Sequence, residues 1–335
     1  MITLFFFLIL LLFLCWFINS DGTQNKERYI YIFFVFFLTL ISGMRYEVGA
    51  DFKNYEIMYN KPDSVLNNFV EPSWHIISRF FHFLNLKSVY WFMFTSFVIN
   101  MNILRTVWRY SKSFILSMFI YVSSGQLFFQ SMNIVRQYFA ISIIFGFINL
   151  YIDRKYFKFI IVILIASLFH KSALITIPLF FLAKIKIHPF FLSLILIVSY
   201  IIKNKILFLI KFLLGFIPKY SAYLLHLVPA KTTSGLYVTM LLLIGLSMIW
   251  IFRNLKKNYE WLNMTIMSFV IYMVLIDFEA GQRMNLYFLP SIMILVSYIP
   301  NRKKIEKSTI QYFSIIFGFL LFQLKAVSSL SYNIR

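Results

Sequence analysis

An all-α, polytopic membrane protein is the fold class this sequence predicts, on three observations. Hydrophobic residues fill 61% of the 335 positions and charged residues only 13%, against roughly 45–50% and about 25% in a soluble domain. The apolar residues gather in continuous runs, with Phe alone occurring 42 times and a mean hydropathy of +0.79. The basic excess, a formal net charge of +20, falls between those runs, as it does in the cytoplasmic loops of multi-span proteins. A disordered chain, a disulfide scaffold and a cytosolic enzyme are excluded by the same numbers.

The runs are read in order as residues 2–18, 29–44, 88–104, 113–129, 137–151, 157–169, 172–183, 189–202, 236–252, 261–276, 284–299 and 309–324. The first lacks a basic leader and a small-residue cleavage site, so it reads as a span and not a signal peptide. Several runs are shorter than the roughly 20 residues that cross a bilayer core, and must extend into polar flanks or lie behind neighbouring helices. Residues 206–228 are interrupted by Lys211, Pro218, Lys219 and His226 and read as interfacial or re-entrant. The sum is about eleven or twelve transmembrane helices in one integral membrane domain, 1–335. Two longer outer segments interrupt it: 45–87, which contains an amphipathic helix after Pro72, and 203–235.

Short basic loops set the orientation. Arg105, Arg109 and Lys112, then Arg154, Lys155 and Lys158, then Lys184 and Lys186, then Arg253, Lys256 and Lys257, then Arg302 to Lys307 recur at alternate turns. All can face the cytoplasm together. Nucleic acid is not an expected partner for this charge, because no aromatic-basic surface remains outside the apolar segments. The single cysteine, Cys15, lies inside an apolar run and offers neither a disulfide framework nor a nucleophile.

This topology sends a distinct polar set to the outer side. Ionisable groups next to hydrocarbon are costly and usually line a protein interior or a wet cavity. Arg136 opens an apolar run in the context Asn133-Ile134-Val135-Arg136-Gln137. A snorkelling anchor would look similar, but a guanidinium fork also matches phosphate oxygens and keeps its charge, with Asn133 and Gln137 as neutral helpers. Arg283 repeats the arrangement in Gly281-Gln282-Arg283-Met284-Asn285. Two such centres suit a diphosphate, the usual head of a polyprenyl carrier.

Gly49-Ala50-Asp51 follows Arg45, and the turn presents Asp51 either as a helix N-cap or as a group that hydrogen-bonds an acceptor hydroxyl. Glu71-Pro72 suits a helix start and can also position substrate. His170 sits at the polar break of Phe169-His170-Lys171-Ser172-Ala173, where an imidazole could bind phosphate or relay a proton. Asp277 and Glu279 lie just ahead of Arg283 and can pair with it or contact sugar hydroxyls. No P-loop, HExxH, Asp-x-Asp pair or nucleophile elbow is present. No metal site or cofactor is expected.

In this order the motifs resemble those of the EpsG/Wzy-like family of O-antigen and exopolysaccharide polymerases. The resemblance rests on Arg45 with Gly49-Ala50-Asp51-Phe52-Lys53-Asn54-Tyr55, Glu71-Pro72, Asn133-Ile134-Val135-Arg136-Gln137, Arg154-Lys155, Phe169-His170-Lys171-Ser172-Ala173, and Arg283 with Tyr287. It spans roughly residues 40–290. Gly-Ala-Asp-Phe stands where the family commonly has Gly-Thr-Asp-Tyr, which removes two hydroxyls and keeps the acid.

The resemblance implies a multi-span, GT-C-like glycosyltransferase of the bacterial cytoplasmic membrane with its active site on the periplasmic or exterior face. It would move a growing glycan from undecaprenyl diphosphate onto a carrier-linked repeat unit, without a metal. Arg136, Arg283, Arg45 and Gln137 are then expected to hold diphosphate. Asp51 and His170 are expected to activate the acceptor, with Glu71, Asn133, Asp277 and Glu279 positioning substrate. Lipid-linked glycans and membrane lipid are the expected partners, with a chain-length regulator as a further one. A lipid-linked oligosaccharide flippase and an O-antigen ligase are the competing readings; a flippase should show repeat symmetry and polar residues on both faces.

Overall fold

The computed structural model describes residues 24–61, 70–203, 205, 235–255, 258–276, 278–298 and 333–334. The runs 2–18 and 309–324 and the segment 206–228 lie outside these residues. Among the described residues the chain is helical throughout, apart from a two-stranded antiparallel pairing of β1 (Arg45–Tyr46) with β2 (Asn333–Ile334). The all-α expectation holds. The chain divides into two compact units, residues 1–177 with 296–335 and residues 178–295.

In the first unit, α1 (Gln24–Gly43) packs along α4 (Ser88–Tyr110), and α4 along α7 (Val135–Gly146). Between α1 and α4 the outer segment folds into α2 (Phe52–Asn60) and α3 (Pro72–Phe83). Pro72 occupies the first helical turn of α3, where its missing N–H costs nothing. That helix ends in a Schellman motif: Asn85 takes a left-handed φ of 54°, and the Leu86 N–H reaches back to the Phe81 carbonyl at 3.1 Å. Trp74, Ser78 and Phe81 form the buried stripe of α3, while Ile76, Phe80 and Phe83 face outward. The amphipathic helix expected after Pro72 is therefore present, with an outer face that is itself partly apolar.

The run 113–129, read from sequence as one span, is broken. α5 (Phe114–Ser123) stops at Ser124, which is extended (ψ 113°), and a π-helical turn, Gly125–Phe129, leads into the short α6 (Gln130–Asn133). The two halves meet at 62°. The break is tolerated because Ser124 still donates its N–H to Ile120 and the Leu127 N–H returns to Ser124. Ile134 (ψ 62°) interrupts the helix again before α7. α8 (Ile148–Ile152) and α9 (Tyr156–Ser167) follow, then a 3-10 turn, Lys171–Ile175, leads into α10 (Thr176–Ala183).

In the second unit, α11 (Pro189–Ile202), α12 (Gly235–Phe252) and α13 (Tyr259–Val274) pack on one another. The short α14 (Glu279–Gln282) runs into a 3-10 turn, Arg283–Tyr287, which packs on α13, and α15 (Ser291–Ser297) starts after Pro290. The run 284–299, expected as one helix, is divided there because Pro290 can neither donate an N–H nor continue a helix from the preceding residues.

No single described helix is both long and apolar enough to cross a membrane; α5 with the segment Gly125–Asn133 passes only as a bent pair. Large apolar side chains are nonetheless exposed along whole helices, including Phe33, Phe36 and Leu40 on α1 and Phe190, Phe191, Leu194 and Ile201 on α11. Contiguous apolar surface of this extent marks a face that is covered by something other than water.

Candidate functional site

Three stretches that are distant in sequence converge in the first unit at the start of α3. Trp74 is fully buried, with its ring 5.5 Å from Trp91 of α4, 5.2 Å from Phe139 of α7 and 5.7 Å from Phe169. Its indole N–H donates to the Phe169 carbonyl at 2.9 Å, and the Ser73 hydroxyl donates to the Leu168 carbonyl. The indole thus fastens the α3 N-terminus to the 168–170 loop, which is free to accept because helix α9 has just ended there.

That docking brings Glu71 onto the loop and onto α7. Arg136 Nη1 donates to Glu71 Oε2 at 2.7 Å. On the other carboxylate oxygen, Oε1, the Lys171 N–H and His170 Nδ1 both lie at 3.3 Å. Glu71 is 5% exposed, whereas the side chains of Arg136 and His170 remain 29% and 26% exposed. One buried carboxylate therefore carries a guanidinium on one oxygen and an imidazole on the other, and both partners keep an open side.

Burial by itself would raise the Glu71 pKa. The imidazole of His170 on one oxygen and the charge of Arg136 on the other outweigh it, and the carboxyl is held at about 2. Glu71 is thus ionised near neutral pH and acts as an acceptor and not as a proton donor. Because its folded pKa is depressed from an ordinary 4.5, the stability it contributes is fully present above that value. It is lost as the pH falls through about 2. The difference in thermal midpoint between the native chain and Glu71→Gln should therefore shrink as the pH falls below about 4.5, as a pH series of melts would read.

The outer segment supplies the adjoining wall. Asn133, the last residue of α6, accepts the Asp51 N–H through Oδ1 at 3.3 Å. The approach depends on Gly49, which has φ +83° and where a Cβ would stand 2.5 Å from that same Asn133 oxygen. Gly49→Ala is expected to lower stability by about 1–3 kcal/mol from the backbone conformation alone and to push Asn133 off Asp51. Thermal melts of the two proteins would measure this. Four residues on from Asp51, Tyr55 is buried against Arg136. Burial, then the Asp51 charge, pushes its phenol up to about 12, with Arg136 opposing.

Of the residues expected from sequence, Asp51, Glu71, Asn133, Arg136 and His170 thus fall into one neighbourhood. Gln137 is buried on α7. Arg45 lies within the helix packing at 2% exposure. It donates to the Ser42 carbonyl and to Ser96 Oγ at 3.4 Å, and its guanidinium stands 4.6 Å over the Phe92 ring. Arg283 is half-buried at the start of the Arg283–Tyr287 turn in the second unit. Asp277 and the side chain of Glu279 lie outside the described residues. Ser73 and Trp74 were given no role from sequence, and Tyr55 was quoted only as the end of the Gly49-to-Tyr55 motif. Tyr55 had a legible signal in its i+4 spacing from Asp51, whereas Trp74 reads as ordinary core until its carbonyl partner is seen.

The chain is helical, exposes apolar faces and builds a carboxylate-anchored cationic cluster. The EpsG family profile matches residues 28–334, and the chain belongs to that family, the EpsG/Wzy-like polymerases, a polysaccharide-polymerase family associated with membranes. No curated protein and no solved structure matches it.

Proposed function

We propose that the chain is a membrane glycosyltransferase of the outer face of the bacterial cytoplasmic membrane. It would extend a glycan held on undecaprenyl diphosphate by transferring it to the non-reducing end of an incoming carrier-linked repeat unit. The observation that carries the reading is the shared Glu71 carboxylate, which presents Arg136 and His170 side by side.

In the reaction a sugar hydroxyl attacks the anomeric carbon of the donor, the bond from that carbon to the diphosphate oxygen breaks, and the diphosphate leaves with the electron pair. With Nδ1 turned to Glu71, the His170 imidazole has Nε2 as the nitrogen that takes the hydroxyl proton. Glu71 fixes the tautomer and stabilises the imidazolium that results. Arg136 gives one N–H to Glu71 and retains further donors for the departing oxygens. Asp51 and Asn133 line the acceptor side.

A diphosphate is already a good leaving group, so the chemistry needs neither a metal nor a strong general acid. Arg283 is assigned to a second diphosphate, since donor and acceptor each carry one. Arg45, enclosed between α1 and α4, takes no part. Exposed apolar helix faces and the basic loops support the multi-span placement, and a chain-length regulator is the expected protein partner.

A deletion strain tests this. Cells without the protein should display single repeat units in place of long chains. Unchanged long chains would refute the assignment, and loss of all surface glycan would favour a flippase.

A further inference from the structure

The second unit holds a cavity of about 440 Å³ between the start of α11 and the α12–α13 turn. Its cationic lining is Lys186 and Arg253, with His188 beside them and Trp250 and Tyr259 as aromatic walls, and no carboxylate is among its lining residues. Lys186, His188 and Arg253 are all exposed. Glu260, the acid nearest in sequence, does not line it.

The wall carrying Lys186 and His188 is fixed before any ligand arrives. Tyr259 donates to the Lys184 carbonyl at 2.9 Å, and Asn263 Nδ2 bonds the carbonyls of Ala183 and Ile185, each at 2.8 Å. His188 Nδ1 accepts the Phe190 N–H at 3.3 Å, capping α11. The Arg253 guanidinium stands 5.5 Å from the centre of the Trp250 ring. Three consecutive carbonyls are thus held by α13, which fixes the segment leading into Lys186 and His188.

We propose that this cavity, lined by residues of the second unit alone, binds the phosphate headgroup of an anionic membrane phospholipid; the lipid-facing setting rests on the membrane placement proposed above. The charge is complementary to a phosphodiester. Trp250 (51% exposed) and, on α11, Phe190 (59%) and Phe191 (57%) extend an apolar, aromatic surface from its rim, as acyl chains require and a free phosphate does not. Basic pockets between membrane helices on the cytoplasmic side hold anionic headgroups in this way.

The test uses purified full-length protein in a neutral detergent, with thermal midpoint and native mass spectrometry as readouts. Dioleoyl phosphatidylglycerol should raise the midpoint and remain bound as a discrete adduct, whereas dioleoyl phosphatidylethanolamine and inorganic phosphate should do neither. Lys186→Gln and Arg253→Gln should each weaken phosphatidylglycerol binding about fivefold, and the double variant about thirtyfold. Both positions are exposed, so the ligand-free midpoints should match the native chain. Arg136→Ala should retain the lipid response, which separates this inference from the proposed reaction. Equal stabilisation by inorganic phosphate or by phosphatidylethanolamine, or an unaltered response in the double variant, would overturn it.

Discussion

Arg136→Ala should lower chain extension by a factor of about 10²–10³, the usual consequence of removing a preorganised donor to developing charge. The loss has two sources that a lysine variant separates. Alanine leaves Glu71, buried and ionised, without its guanidinium, and the uncompensated carboxylate lowers stability. Lysine keeps a cation within reach of Glu71 but forfeits the planar fork that engages two phosphate oxygens. The expected pattern is a lowered melting midpoint and near-absent activity for Arg136→Ala. For Arg136→Lys the midpoint should be near native and the activity intermediate, with more of the loss in turnover than in substrate affinity. Chain-length analysis of products from defined carrier-linked units, alongside melts, would check both halves. Full activity in the lysine variant would show that charge alone suffices and that fork geometry is irrelevant.

His170→Asn has the second large expected effect, a fall in turnover of about 10²–10⁴. Asparagine can still place a polar atom toward Glu71, and the carboxylate retains Arg136 and the Lys171 N–H, so the midpoint should move little. The distinguishing readout is the pH profile. A histidine base imposes a decline in rate on the acid side as the imidazole is protonated, and this limb should be missing from the residual activity of the variant. A merely structural histidine would lower activity in proportion to lost fold and leave the shape of the profile intact.

The helical class and the motifs that the fold brings together were legible in the sequence because composition and short-range pattern carry them directly. Pro72 with Glu71 announced the α3 start, and the Asn133-to-Gln137 and Phe169-to-Ala173 motifs announced two of the three converging stretches. The role of Glu71 was less legible. An acid ahead of a proline is adequate as a helix start, and nothing in its local spacing reveals partners 65 and 99 positions away. Those contacts follow from Trp74 bonding the Phe169 carbonyl, a tertiary event without a period in the chain.

The broken helix at Ser124 was likewise hidden. Residues 113–129 are uniformly apolar, and hydropathy does not register a π turn whose backbone bonds are merely shifted. Arg45 illustrates the opposite case: its neighbourhood in sequence looks like an outer loop, yet the burial of Ser42 and Phe92 around it encloses it between helices.

The central claim is that one carboxylate builds the site by holding His170 in its working orientation. A double-mutant cycle on turnover with Glu71→Gln and His170→Asn tests it most directly. If Glu71 acts through His170, replacing the histidine in the Glu71→Gln background should cost far less than it does in the native chain. If the two losses multiply in full, the residues act independently, and the account of this site is wrong.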